Sequence, residues 1–388
     1  MGIAKNFLKK VKINMSELST LLLEWFDLNK RGLPFRKNNK PYDVWVSEIM
    51  LQQTKVDTVI PYYNAWMKKF PNIESVSEAS EESILKSWEG LGYYSRSRNF
   101  HKAAKIIKKN FNSKIPDSWD DFRQLPGVGD YTAGAVLSIA FNKSYVAVDG
   151  NVKRVMARLT SRKKLSQYNL RFIKSKLLKF MDKNRAGDFN QAMMELGACV
   201  CLPRNPKCEQ CPINKICNAY ISGKPTEYPA KVVKKTIPSH IFAGGLIRVG
   251  NKILIQKREE KMLNGLWEIP MKKINDQKNL TKDFKNFIFN KYGITVKINK
   301  VFSAIKHSYS HFNMKLIVID CEKTTCIVKK KNFFSWIEKN QINKYPFHKV
   351  NHKVFSLFKK KLGMFRTVVS LILWPIWFLY LIAILPIF

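Results

Sequence analysis

The chain has 388 residues, more than one hydrophobic core usually serves, so at least two domains are expected. Apolar residues make up 45% and charged residues 25%, a balance that excludes a disordered or collagen-like chain. Lysine and arginine number 68 against 29 aspartates and glutamates; the net charge of +39 points to nucleic acid or an anionic membrane face, although a lysine-rich composition alone gives the same sign.

The first residues, MGIAKNFLKKVKINMSELST, are basic but lack the apolar stretch of a secretory leader, so a reducing compartment is expected. Up to about residue 220 the segments SELSTLLLEWF, YDVWVSEIMLQQ and ESILKSWEGL show apolar spacings of three and four, which predicts a helical domain. In the second of these, Glu48 neighbours Val44, Trp45, Leu51 and Gln52, while Asp43, Ser47, Met50 and Thr54 are expected to form the solvent face. A glutamate on an apolar stripe is either a paired core charge or an acid with a raised pKa.

Further along, LPGVGDYTAGA (125–135) reads as a hairpin. Pro126 and Gly127 end one helix, Gly129 permits a tight turn, and a small-residue helix starts near Asp130. Backbone N–H groups at such a helix start can cradle a phosphate without reading bases; a plain helix-turn-helix corner is the alternative. Asp149, in DGNVK, is placed to cap the helix that follows, and amide donors there are expected to keep its carboxylate ionised. A neutral acid paired with an anionic one is the division of labour that breaks a glycosidic bond.

Four cysteines, Cys201, Cys208, Cys211 and Cys217, crowd one short loop with spacings of six, two and five residues. Structural zinc sites favour two matched C-x2-C knuckles, so the uneven spacing suits an iron–sulfur cluster better. Cys199 reads as a small core residue. Past Ala219 the composition shifts to Gly, Pro and Lys, a linker over 221–239, and from His240 short β-type runs surround one helical stretch near Leu280–Tyr292, which predicts an α+β domain. At the far end 367–388 carry no charge and follow a basic run. That length could cross a bilayer with the rest of the chain on the cytoplasmic side, weakened by Pro375 and Pro386; a tail packed on the protein or a spurious gene extension is the alternative.

Taken together, SEIMLQQTKVDTVIPYY, WEGLGYYSRSRNFHKAA, LPGVGDYTAGA, VDGNVKRV, FNQAMMELGACVC and the cysteine spacing resemble the MutY-type adenine DNA glycosylases of the helix-hairpin-helix, endonuclease III superfamily, from about Asn14 to Lys359. The resemblance implies an all-α helix-hairpin-helix glycosylase domain (14–220) with an iron–sulfur loop (198–218), a linker (221–239) and a Nudix-like domain (240–360) that reads 8-oxoguanine; the hydrophobic tail (364–388) lies outside it. It implies a 4Fe–4S cluster on Cys201, Cys208, Cys211 and Cys217. The substrate implied is double-stranded DNA with adenine opposite 8-oxoguanine or guanine.

Residue by residue, the resemblance implies that Glu48 protonates adenine, Asp149 stabilises the sugar cation, and Tyr131 and Asn151 assist. Arg36 and Gln191 would line the base pocket, where the family's usual Trp is Phe35. Gln52, Gln53 and Tyr93 would wedge into the duplex, and Gly127, Val128 and Gly129 would hold phosphate. Ser310 and His311, in HSYSHF, would contact the damaged base. Two departures matter. Tyr131 stands where strand-cutting relatives carry a lysine, so a monofunctional hydrolase is expected, with Lys153, close in sequence to Asp149, giving at most minor trapping. The stretch after GLWEIP lacks the glutamates that hold magnesium in Nudix hydrolases, so that domain is expected to bind and not to hydrolyse. The rivals are a bifunctional glycosylase/lyase for oxidised pyrimidines, a catalytically silent DNA-binding protein and a nucleotide pyrophosphatase. A monomer is expected, cytoplasmic and nucleoid-associated, with the tail (367–388) tethering it to the inner face of the membrane.

Overall fold

The computed structural model describes residues 15–230, 236–275, 277–326 and 333–358, and the chain divides into two compact units, one up to Lys234 and one from Lys235. The first unit is helical. Its helices start where the sequence offers caps: Asn72, Ser80, Ser118, Asp149 and Ser166 each accept a backbone N–H from the first turn of the helix that follows.

Two clusters hold this unit together. One is aromatic: Trp45 meets Phe100 and Phe122 edge-on at 4.7 and 5.1 Å, and Trp66 meets Trp88 at 5.6 Å. All five rings are almost fully buried, each contributing roughly 2–3 kcal/mol by its transfer from water. The other joins Leu18, Leu22 and Phe26 to Val155, Met156, Phe189 and Leu196. Pro41–Leu51, the helix that carries Glu48, belongs to the first cluster, and Gly150–Leu159, which Asp149 caps, belongs to the second.

The expected solvent face of the Glu48 helix is corrected here. Ser47 is 3% exposed and Met50 0%, because neighbouring helices cover the helix on both sides; Asp43 and Thr54, near its ends, are half-buried. Polar identity at position 47 does not signal water: the Ser47 hydroxyl donates to Val44 O over 2.8 Å within its own helix.

The second unit is a seven-stranded sheet between two helices. Its strands are β1 (Ser239–Val249), β2 (Lys252–Lys257), β3 (Trp267–Glu268), β4 (Met271–Ile274), β5 (Ile294–Ser308), β6 (Asn313–Cys326) and β7 (Phe334–Glu338). The order is β3-β2-β1-β6-β5, with β4 also on β1 and β7 also on β2; only the β1–β6 pair is parallel. Leu280–Tyr292 covers one face through Phe284, Ile288 and Tyr292, and helical residues 349–358 cover the other through Val350, Val354 and Phe355.

The uncharged stretch 367–388 lies outside the described residues, and among the described residues no helix is long and apolar enough to cross a membrane.

Candidate active site

A cavity of about 760 Å³ opens in the helical unit, lined among others by Glu48, Tyr131, Asp149, Asn151, Gln191 and Arg36. The Glu48 helix delivers its acid from one core, the hairpin helix Asp130–Phe141 delivers Tyr131, and the cap of the Gly150–Leu159 helix delivers Asp149. The lead-in to Asp149 is fixed by Asn190, which donates to Tyr145 O and Ser138 Oγ at 2.8 Å and accepts from Ala147 N at 3.0 Å. Gly197 clears the seat of Asn151, since a Cβ there would sit 2.5 Å from the Asn151 Cβ.

Glu48 is 6% exposed, and burial pushes its carboxyl from 4.5 up to about 7; the Tyr131 hydroxyl, donating to Oε2 over 2.6 Å, works against that rise, and the charge of Asp149 adds to it. Tyr131 also lies 3.6 Å from Met194 Sδ. Asp149 accepts from Val152 N at 2.7 Å and from Asn151 Nδ2 at 2.9 Å, so the capping donors expected from sequence are in place. Their effect is outweighed, however: burial raises the Asp149 carboxyl above its ordinary value, against the pull of those hydrogen bonds and of Arg154. Both carboxyls are therefore pushed up, and at Asp149 the capping donors restrain the rise without reversing it. The reason is desolvation at the cavity wall.

Arg36 and Gln191 line the cavity, as does Phe35, which is buried and packs edge-on against Tyr63 at 5.6 Å. Arg36 is not free in that wall. Its Nη2 donates to Glu195 Oε2 at 2.8 Å, and Arg31 grips the same carboxylate through Nε at 2.6 Å and Nη2 at 2.9 Å. Burial alone would raise Glu195, but the hydrogen bonds and charges of Arg31 and Arg36 hold it at about 2. The sequence pattern did not mark Glu195 or Arg31. The available signal was position: Glu195 follows Gln191 by one helical turn on the same face. Cys199 is half-buried with its thiol 3.8 Å from Glu195 Oε1 and packs at the edge of the second core.

At the hairpin, Gly127 takes φ +82, and a Cβ there would stand 2.8 Å from the Asn99 Cβ. Gly129 is different: its φ of −95 suits any residue, and a Cβ would meet nothing within 4 Å. The tight turn thus needs Gly127, not Gly129 as the sequence suggested. The Val128 amide is spent on Leu125 O at 3.1 Å, so it is not a donor for phosphate. Gly129 caps the next helix without a side-chain acceptor, which leaves first-turn amides of that helix without intrahelical partners.

Gln52 donates to Thr132 Oγ1 at 3.1 Å; Gln53 and Tyr93 are exposed and both hold left-handed backbone, φ +58 and +49, although neither is glycine. Such strain costs on the order of 1–3 kcal/mol per residue and persists only where surroundings impose it. Gln52, Gln53 and Tyr93 line a second cavity of about 270 Å³ together with Gly127. Ser310 and His311 belong to the second unit, exposed at the β5–β6 turn, with Ser310 Oγ 3.3 Å from His311 Nδ1 and the His311 ring 5.0 Å from Phe312.

Cys201, Cys208, Cys211 and Cys217 form no disulfide with one another and are all partly buried. Burial pushes Cys211 up to about 12, and the charges of the other three thiols push it further the same way. Because the charges of Cys201, Cys208 and Cys217 all reach Cys211, the four thiolates need one shared positive group, as an iron–sulfur cluster supplies. Arg158, 2% exposed, ties the loop down by donating to Cys201 Sγ at 3.2 Å, Leu202 O at 2.8 Å and Tyr228 O at 3.0 Å. Arg204, Lys207 and Lys215 are exposed on the same loop.

The model of the HhH-GPD superfamily of base excision DNA repair proteins matches residues 46–179, a NUDIX domain model matches 243–357, and the iron–sulfur binding domain of endonuclease III matches 201–217. The adenine DNA glycosylase of Buchnera aphidicola subsp. Baizongia pistaciae is 37% identical over 332 residues, covering 79% of this chain and 92% of its own. The human adenine DNA glycosylase is 44% identical over 212 residues, covering 51% of this chain and 38% of its own. Among solved structures, a thermostable thymine-DNA glycosylase superposes with a TM-score of 0.50 at 27% identity, covering 54% of this chain and 97% of its own.

Proposed function

The chain belongs to the adenine DNA glycosylase family, and from that membership we propose that it hydrolyses the N-glycosidic bond of adenine mispaired with 8-oxoguanine or guanine and leaves the strand uncut. The observation that carries this reading is the convergence of Glu48, Tyr131 and Asp149 on one cavity, with the Glu48 carboxyl held near neutrality.

Glu48, at about 7, is protonated often enough near neutral pH to act as an acid and basic enough to take the proton back. It delivers its proton to the purine as the C1′–N bond breaks, so the base leaves neutral, and water then adds to the sugar cation and returns a proton to Glu48. The Tyr131 hydroxyl keeps Oε2 aimed, and Asp149, oriented by Asn151 and Val152, faces the positive charge that develops on the sugar. A base reaches this cavity only by leaving the stack, and Gln52, Gln53 and Tyr93 are the residues we assign to the gap it leaves. Phosphate is assigned to the hairpin at Gly127 and Gly129, with Val128 shaping the turn.

We assign residues 14–220 to base removal and 240–360 to reading the opposite base, with Ser310 and His311 as its contacts. The helix Leu280–Tyr292 carries no glutamate, which favours a binding module over a pyrophosphatase. The protein carries a 4Fe–4S cluster, for which Cys201, Cys208, Cys211 and Cys217 are the assigned ligands. When bound, the cluster cross-links the loop through iron–thiolate bonds, and it takes no part in the hydrolytic steps above.

Single-turnover release of adenine tests the reading. Glu48→Gln should abolish release from an adenine:8-oxoguanine duplex while duplex binding persists, and release by that variant at the wild-type rate would sink the acid assignment. Equal release from adenine:thymine and adenine:8-oxoguanine duplexes would sink the mispair assignment.

A further inference from the structure

Arg96 has no place in the steps above, yet it makes the densest set of polar contacts near the cavities. It lies in the first turn of the helix Ser95–Asn110. Its Nη1 donates to Ile49 O at 2.7 Å, Met50 O at 2.9 Å and Gln52 O at 2.6 Å. Its Nη2 donates to Gly92 O at 3.1 Å, Leu91 O at 3.5 Å and Thr54 Oγ1 at 3.3 Å. Ile49 and Met50 lie in the last turn of the Glu48 helix, where carbonyls have no further turn to serve them. One planar guanidinium therefore grips two separate stretches, 49–54 and 91–92, and it stacks over the Trp88 and Tyr93 rings at 5.3 and 5.5 Å.

The first stretch holds Gln53 and the second leads into Tyr93, both exposed and both in left-handed backbone. Residues 51–54 close a turn, with Thr54 N donating to Leu51 O at 3.2 Å, that accommodates Gln53, and Arg96 Nε donates to Tyr93 O at 3.4 Å; the shared guanidinium is what ties the two stretches to each other. We propose that Arg96 is the positioning residue of the duplex-opening edge, fixing Gln53 and Tyr93 in mutual register so that they enter the base stack as one rigid unit. The proposal rests on the glycosylase reading. A lysine keeps the charge but presents a compact ammonium, which cannot span both stretches at once.

The test uses full-length protein and a duplex carrying 2-aminopurine beside the target adenine, with Glu48→Gln in the background so that the substrate stays uncut. With Arg96 present, binding should raise the fluorescence as the stack opens. With Arg96→Lys added, the duplex should still bind, within about threefold, while most of the rise is lost. In single turnover, Arg96→Lys alone should slow release by roughly tenfold to a hundredfold with the pH midpoint of the wild type, since displaced geometry costs rate without retuning Glu48. A full fluorescence rise with Arg96→Lys overturns the proposal, and so does a shifted pH midpoint, which would place the effect on the acid. No rise even with Arg96 present sinks the glycosylase reading itself. A second measurement needs no variant: in the wild-type protein, amide exchange over 52–54 and 91–93 should slow together on duplex binding. Independent changes in the two stretches overturn the proposal.

Discussion

Tyr131 donates its hydroxyl to Glu48 Oε2 over 2.6 Å, and the accepting carboxyl is 6% exposed. The bond favours the ionised form of Glu48 and so restrains the rise that burial imposes. Tyr131→Phe removes that restraint, and the Glu48 midpoint should move above about 7. The expected outcome is a slower enzyme whose activity extends to higher pH, read from single-turnover rates across pH 5–9 (a range of roughly two units either side of neutrality). A midpoint that stays put or falls would show that the hydroxyl does not tune the acid.

The same acid weakens the fold. Its pKa is raised from 4.5 to about 7 on folding, so the stability linked to it is fully present below 4.5 and is lost as pH rises through about 7. The shift corresponds to about 3 kcal/mol. Glu48→Gln should therefore melt higher than the wild type at about pH 8, and the two should converge near pH 4. A variant that melts lower than the wild type at high pH contradicts the raised value.

Glu195 should behave in the opposite sense. Its carboxyl is held at about 2 against an ordinary 4.5, so its contribution is present above 4.5 and lost as pH falls through about 2. Allowing for solvent on the Arg31 side, we expect Glu195→Gln to cost about 2 kcal/mol at neutral pH, shrinking on acidification. Urea denaturation at several pH values gives the comparison. Because Arg36 loses its tether, adenine release should also weaken with no change in the pH midpoint.

At the hairpin, Gly127→Ala should destabilise the protein by about 1–2 kcal/mol, since it combines a left-handed backbone with a contact to Asn99. Gly129→Ala should be nearly neutral for stability, so any loss of duplex affinity there reports close approach of the DNA backbone. Thermal melts and binding isotherms at matched salt separate the two effects.

Lys153 lines the cavity and Tyr131 occupies the hairpin helix without an amine. Borohydride should trap only traces of DNA, and Lys153→Ala should remove those traces while leaving adenine release in place. Trapping at the efficiency of a strand-cutting enzyme would contradict the monofunctional assignment.

Much of the helical unit was legible because its apolar spacings and caps are local. The strands β1, β2, β5 and β6 carried enough alternation to be seen, whereas β3 and β4 span two and four residues and leave no period to detect. Ser47 and Met50 were misplaced for a different reason: a helix covered on both sides has no polar stripe, and its few polar side chains bond inward. The direction at Asp149 depended on burial competing with capping, a balance set by tertiary packing. Glu195 was hidden because its partners, Arg31 and Arg36, lie some 160 residues away in sequence.

From Tyr42 to Met50 every side chain except Asp43 is buried. A stretch so enclosed has little room for drift: a smaller residue opens a void, and a larger one displaces a neighbour that itself shapes the cavity. In a saturation library, survivors should thin out along this run and recover at Pro41, Asp43 and Leu51, so that the tolerance map alone would trace the helix carrying the acid.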